Sequence, residues 1–438
     1  MRRSESLSFQ EIASEEPDES LMLALTIIIL CLLAMLNYRL AGRSALYPPV
    51  MFCGIWAADF VQIWLLGDYF YPLSNETLFI VLGGAFTFSI GAGLVLLYPS
   101  ESQRQPVDIS KMSSRLLNLL VWLLILSFPF YVRWLVGLVA ERGVLMSFLG
   151  AARSATLEES NQGLAYSIFF NLATLSVYVA LLAFRERKGH RLRLVTAITL
   201  AFAMNLLTGA KAGVITLLLN LVFLSWIQTK RVPWKFVAVT VLLIILAFGV
   251  IQFNVQFGGP VGDSIGPLAR SVSLYTSGPI VGFDRVIRDP AVIPHSFPFY
   301  IAFSHLLKTF GVQIDERRET GYVGVGPGID QNAFGMYYAY LDLGILGMIL
   351  APALMGLVVT LVYQRADQGG RLAQILYACL ASGLLLSPVG EFFLTWLNFL
   401  TKLCLVIWMV YKLPAVWNVF NRLMGRAVQA QLADYRGL

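Results

Sequence analysis

Residues 194–229 read LVTAITLAFAMNLLTGAKAGVITLLLNLVFLSWIQT, and the reading of this stretch decides the fold. It is apolar from end to end except at Gly209-Ala210-Lys211-Ala212-Gly213. A membrane crossing takes about 20 apolar residues. The stretch is therefore too long for one crossing, and the glycines predict two helices joined by a tight turn. Basic segments flank the pair. Arg185, Arg187, Lys188, Arg191 and Arg193 precede it, and Lys230, Arg231 and Lys235 follow. Two crossings put both basic segments on one side of a bilayer, which the positive-inside rule makes the cytoplasm.

Working outward gives the other candidate spans: 21–38, 47–67, 77–98, 116–138, 164–184, 235–254, 343–363, 372–388 and 393–412. The expected fold is an all-α polytopic membrane protein of about eleven transmembrane helices with one large periplasmic loop region. Its expected parts are a polar N-terminal segment, 1–20, a single transmembrane domain, 21–412, and a cytoplasmic tail, 413–438. Arg104, Lys111, Arg115, Arg365, Arg371 and the tail cations share the cytoplasmic side in this count, and the acidic N-terminus falls outside. That N-terminus has no basic-then-apolar leader of the secretory type.

Composition agrees. Apolar residues make up 57% of the 438 and charged residues 13%, half the share of an ordinary soluble domain. The net charge of +6 does not indicate nucleic-acid binding, because the cations sit in short loops between apolar runs. Cys31, Cys53, Cys379 and Cys404 lie in apolar runs, so no disulfide framework is expected. The three histidines lack metal-ligand spacing, and the outward segments contain no Asp-x-Asp. No metal and no cofactor is expected.

Two larger segments face outward, 139–163 and 255–342, and loops of this length are functional suspects. They contain related stretches. Ala152-Arg153-Ser154-Ala155-Thr156-Leu157 matches Ala269-Arg270-Ser271-Val272-Ser273-Leu274 in order, with a Ser three positions on at Ser160 and Ser277. An Arg beside hydroxyls suits a phosphate, which takes paired charge-assisted hydrogen bonds from guanidinium. The competing reading is a pair of amphipathic interfacial helices, each with an Arg at headgroup level. Arg285 and Lys211 are further candidate phosphate ligands, Lys211 with headgroup snorkelling as its alternative. The apolar segment 298–311, with His305, reads as interfacial or re-entrant.

The Gly-rich stretch Gly324–Gly335 lacks the Lys-Ser/Thr of a nucleotide loop and reads as a polar pocket carrying Asp330, Gln331 and Asn332. Tyr337, Tyr338 and Tyr340 fit an aromatic belt. Asp342, at the mouth of a span, is a functional candidate. So is Glu391, which reads more plainly as a carboxylate at a helix start. Asp59 is the main charge inside a span.

Several stretches resemble the bacterial oligosaccharide repeat-unit (O-antigen) polymerases over nearly the whole chain. They are Leu46-Tyr47-Pro48-Pro49-Val50 with Trp56, Asn75-Glu76-Thr77 running to Phe88-Ser89-Ile90-Gly91, and Thr208-Gly209-Ala210-Lys211. The last departs from the family, in which Arg is common at the Lys position. The most specific is Asn332 through Tyr340-Leu341-Asp342-Leu343-Gly344-Ile345-Leu346-Gly347. The resemblance implies a glycosyltransferase of the bacterial inner membrane. It would move a growing glycan between undecaprenyl-pyrophosphate carriers on the periplasmic face, without nucleotide sugar or metal. Essential arginines in the two main outward loops would fall on Arg153 and Arg270. Asp342, Asp330, Glu391 and His305 then compete as general base, and 298–311 would serve as a lid that keeps water out. The implied partners are undecaprenyl-pyrophosphate-linked oligosaccharides, the lipid bilayer and a chain-length regulator protein. An O-antigen ligase and a non-catalytic polysaccharide or lipid transporter are the alternatives. Few charges lie within the spans, which disfavours the transporter.

Overall fold

The computed structural model describes residues 19–97, 114–140, 148–152, 164–186, 191–209, 211–255, 267–289, 321–394, 397 and 399–405. The expected phosphate ligand Arg153, the candidate base His305 and the interfacial segment 298–311 lie outside the described residues.

The elements run α1 (Glu19–Leu40), α2 (Pro48–Leu65), α3 (Asn75–Leu97), α4 (Ser114–Ala140), α5 (Leu164–Glu186), α6 (Arg191–Leu207), α7 (Lys211–Thr229), α8 (Trp234–Val255), α9 (Pro267–Thr276) and α10 (Gly278–Arg288). A short hairpin follows, β1 (Val323–Gly326) and β2 (Ile329–Gln331). Then come a 3-10 helix (Met336–Leu343), α11 (Gly344–Asp367) and α12 (Arg371–Leu385). Helices thus cover ten of the candidate spans. Six helices are long and apolar enough to cross a membrane: Ser20–Leu40, Pro48–Leu65, Asn75–Leu97, Leu117–Ala140, Lys211–Thr229 and Met336–Asp367. Ile168–Phe184, Trp234–Ala247 and Arg371–Leu385 are shorter apolar helices. The protein is a mainly helical membrane protein. Among the described residues six spans, not eleven, meet the length and hydropathy of a crossing.

The segment 255–342 is more structured than a loop. Its described part holds α9, α10, an antiparallel hairpin and a 3-10 turn. The hairpin departs from an all-helical fold. Glycine richness hid it, because strand reading looks for β-branched runs.

Contacts divide the chain into two compact units. The first comprises Met1–Leu97, Val272–Thr360 and Leu384–Leu394. Its α1, α2 and α3 pack together, and α3 meets α11 at unusually close range. A Cβ on Gly91 would fall on the carbonyl oxygen of Ala353, and one on Gly356 would fall on that of Phe88. Small residues permit such backbone approach between apolar helices. Gly91→Val should therefore force α3 and α11 apart. Overpacking of this kind costs about 1–3 kcal/mol, which thermal unfolding of the detergent-solubilised protein would register as a lowered midpoint.

The second unit comprises Tyr98–Ser271, Leu361–Gly383 and Thr395–Leu438. Here α4, α5 and α6 pack on one another, and α7 packs on α6 and α8. Val214, Leu218 and Ala247 form a buried cluster with Phe202, Leu206, Leu243 and Ile244 around it. Tyr131 donates to the Met204 carbonyl at 2.7 Å. The expected turn is present: α6 ends at Leu207, Gly209 takes φ 65°, and α7 begins at Lys211. Gly209 suits that left-handed conformation because it has no Cβ.

Candidate functional site

The polar side chains of the first unit are organised around α10. Ser74 precedes α3, and its Oγ accepts a hydrogen bond from the Thr77 backbone N–H at 3.3 Å, an N-terminal cap. Asp284, on α10, reaches the same helix end. Its Oδ1 accepts from the Ser74 N–H at 2.8 Å, from the Thr77 Oγ1 at 2.8 Å and from the Ser74 hydroxyl. Its Oδ2 pairs with the Arg288 Nε at 2.8 Å, one helical turn on. Arg288 also donates to the Pro72 carbonyl at 2.9 Å. The Asp284 side chain is 1% exposed. A buried carboxylate persists only when paired and hydrogen-bonded, and this one also faces the positive end of a helix dipole. Asp284 was not among the candidate residues read from the sequence. The signal was present in the Asp284/Arg288 spacing and in Ser74-x-x-Thr77 before an apolar run.

The start of α10 is tied to α2. Ser277 Oγ donates to Asp59 Oδ1 at 2.6 Å, and Thr276 Oγ1 donates to Gln62 Oε1 at 3.0 Å. This explains the charge in α2: Asp59 is buried beside a hydroxyl supplied by the α9–α10 turn. It also changes the reading of the Ala-Arg-Ser stretch. Arg270 lies on helix α9, as the amphipathic-helix alternative required. Thr276 and Ser277, which follow that stretch, hydrogen-bond to Gln62 and Asp59 on α2.

The hairpin lies over α10. Gln331 fastens it: its Nε2 donates to the Leu274 carbonyl at 2.7 Å, and its Oε1 accepts from the N–H groups of Asn332 at 2.9 Å and Ala333 at 3.2 Å. On the other side Tyr71 N–H donates to the Val325 carbonyl at 2.9 Å. A Cβ on Gly326 would strike the Tyr69 carbonyl, so the 66–74 loop lies directly against β1.

Strand alternation sorts the hairpin's side chains. Val323 and Val325 are buried, whereas Tyr322 and Asp330 are exposed. Gly324 pairs with Asp330 across the strands. A Cβ on Gly324 would stand 3.8 Å from Asp330 Oδ1 and 4.0 Å from the Tyr71 ring. The Arg285 guanidinium lies 5.1 Å from the centroid of that same ring. Arg285, an expected phosphate ligand, thus borders Tyr71, and Asp330, a candidate base, is exposed on the strand opposite Gly324.

The tyrosines of the 3-10 helix are not an aromatic belt. Tyr337 and Tyr340 are fully buried and Tyr338 nearly so. Tyr337 packs against Trp56 and Phe283, with ring centroids 5.4 Å and 6.3 Å away, and occupies the space left by Gly84. Tyr340 donates to the Met355 sulfur at 3.0 Å. Their amphipathic rings fill a core because the 3-10 turn folds them inward, a conformation that spacing alone does not reveal. Asp342 is half-buried near the end of this turn.

The turn at 386–390 joins the same region through Met336 N–H, which donates to the Ser387 carbonyl at 3.0 Å. Glu391 follows it. Its carboxylate accepts from Phe393 N–H at 2.7 Å and from Leu394 N–H at 3.0 Å. These hydrogen bonds stay within the 391–394 segment.

Of the expected site residues, Arg285, Asp330, Asp342 and Glu391 belong to the first unit. Arg270 and Lys211 belong to the second, where Lys211 opens α7 and is half-buried. Comparison of the chain with protein-family models, with curated proteins and with solved structures gives no match.

Proposed function

We propose that this chain is a membrane-embedded glycosyltransferase of the bacterial inner membrane. On this reading it polymerises undecaprenyl-pyrophosphate-linked repeat units into surface polysaccharide on the periplasmic face. The observation that carries the reading is the exposed Arg285 guanidinium over the Tyr71 ring, on a polar layer built onto long apolar helices. An exposed cation beside an aromatic ring suits a substrate that is at once anionic and rich in hydroxyls. The resemblance of Asn332–Gly347 to O-antigen polymerases supports the same chemistry.

In the proposed reaction the acceptor sugar's hydroxyl oxygen bonds to the anomeric carbon of the donor. The bond from that carbon to the pyrophosphate oxygen breaks, and lipid pyrophosphate leaves with the electron pair. Negative charge grows on phosphate oxygens, where a fixed guanidinium is most effective. Arg285 is assigned that charge, with Arg153, Arg270 and Lys211 as the alternatives that the sequence offers. The hydroxyl proton passes to a general base. Asp342, Asp330 and His305 stand ahead of Glu391 for that role, because the Glu391 carboxylate already accepts backbone hydrogen bonds.

Gene deletion followed by a gel of surface polysaccharide tests the reading. The expected result is lipid A core bearing a single repeat unit and no ladder. Lipid A core with no added unit would overturn the polymerase reading in favour of a ligase or a transporter.

A further inference from the structure

We infer that one end of the second unit is a docking surface for the anionic phospholipids of its own bilayer. Arg191, Arg231, Lys235 and Arg365 draw the charged headgroups, and Leu192 and Trp234 meet the acyl chains. The inference does not rest on the polymerase reading.

Helix ends gather at this surface. The turn at Gly209 folds α6 back along α7, so α6 starts where α7 ends. Residues 230–233 then turn α7 into α8, which packs along it and starts at the same end. Thr229 holds that turn: its Oγ1 donates to the Arg231 carbonyl at 2.9 Å and accepts from the Arg231 N–H at 3.4 Å. Lys230 brings in the end of α11. Its ammonium pairs with the Asp367 carboxylate and donates to the Asp367 carbonyl at 2.9 Å.

The charge gathered there is one-sided. Asp367 is taken up by Lys230. Arg191, Arg231, Lys235 and Arg365 are all exposed, and among the described residues none of them forms an ion pair. Cations brought together in this way attract an anionic partner. The side chains beside them set its class. Leu192 follows Arg191 and is 79% exposed, and Trp234 precedes Lys235 and is 72% exposed. A soluble anion would leave both in water. A phospholipid satisfies both halves of the surface: its phosphate accepts charge-assisted hydrogen bonds from guanidinium, and its acyl chains cover the apolar side chains. An indole beside a cation is suited to the headgroup level of a bilayer. Cations at that level gain most from lipids of net negative charge.

The test uses the full-length protein in detergent micelles. The probes are fluorescent phosphatidylglycerol and phosphatidylcholine with the same acyl chains. The expected result is tighter binding of phosphatidylglycerol, which weakens as salt is added. Arg231→Ala and Lys235→Ala should each weaken that binding about fivefold, the effect of one cation near a charged lipid surface, and leave phosphatidylcholine binding unchanged. Both side chains are exposed, so the variants fold. Arg231→Lys combined with Lys235→Arg keeps both charges and should bind as the wild type does. Equal affinity of the wild type for the two lipids would overturn the inference. So would undiminished phosphatidylglycerol binding when Arg231→Ala and Lys235→Ala are combined. Displacement of phosphatidylglycerol by inorganic phosphate at the same concentration would also overturn it, because the surface would then serve a soluble anion.

Discussion

Asp284→Ala should destabilise the protein by about 3 kcal/mol. The carboxylate is a hub. It receives three hydrogen bonds at the start of α3 and pairs with Arg288 on its own helix. Removing one partner of a buried ion pair costs ~3–5 kcal/mol. The low end applies because Arg288 is 38% exposed and can turn to water. Most of the loss falls on the Ser74 N–H and the Thr77 hydroxyl, which lose their acceptor. Asp284→Asn keeps the shape and an acceptor oxygen but not the charge, so about 1–2 kcal/mol should be lost. Thermal or denaturant unfolding in detergent reads both. An Asp284→Ala protein as stable as the wild type would show that the 66–74 loop and α10 hold together without this hub.

Arg285→Ala should have the opposite profile, a large loss of transfer with little loss of stability. The side chain is exposed, and its contact with Tyr71 is worth ~0.5–1 kcal/mol. If it stabilises charge on the departing pyrophosphate, its removal should slow chain growth by about 10²–10³-fold, the usual effect of deleting one transition-state donor. Arg285→Lys should fall between, because an ammonium keeps the charge and loses the planar fork that stacks and binds oxygens in pairs. The rate of ladder formation per folded protein measures this. A normal rate in Arg285→Ala would move the pyrophosphate site to Arg153, Arg270 or Lys211.

Much of the helical fold was legible because apolar runs of membrane length depend on composition alone. Helices lie on ten of the candidate spans, and the turn at Gly209 was readable from its glycines. How many runs reach crossing length was less legible, since Ile168–Phe184 and Arg371–Leu385 are short. The polar layer was read least well. Its elements are brief and are held by distant partners: Ser277 with Asp59, Gln331 with Leu274, and Asp284 with Ser74. Sequence spacing carries no sign of such pairings. Tyr337 and Tyr340 illustrate the limit, since a tyrosine at a span's edge suits a belt or a core equally until its neighbours are known. Arg285 and Asp330 were both singled out, but Tyr71, whose ring lies beside Arg285, was not.

If this protein polymerises lipid-linked repeat units as proposed, it should do so without help from another enzyme. The most direct measurement reconstitutes the purified protein in proteoliposomes with undecaprenyl-pyrophosphate-linked repeat units as the sole substrate and resolves the products by size. The expected product is a ladder whose rungs differ by one repeat unit, with lipid pyrophosphate released at each step. Carrier-linked single units that remain unextended, under conditions where the protein is folded and inserted, would contradict it.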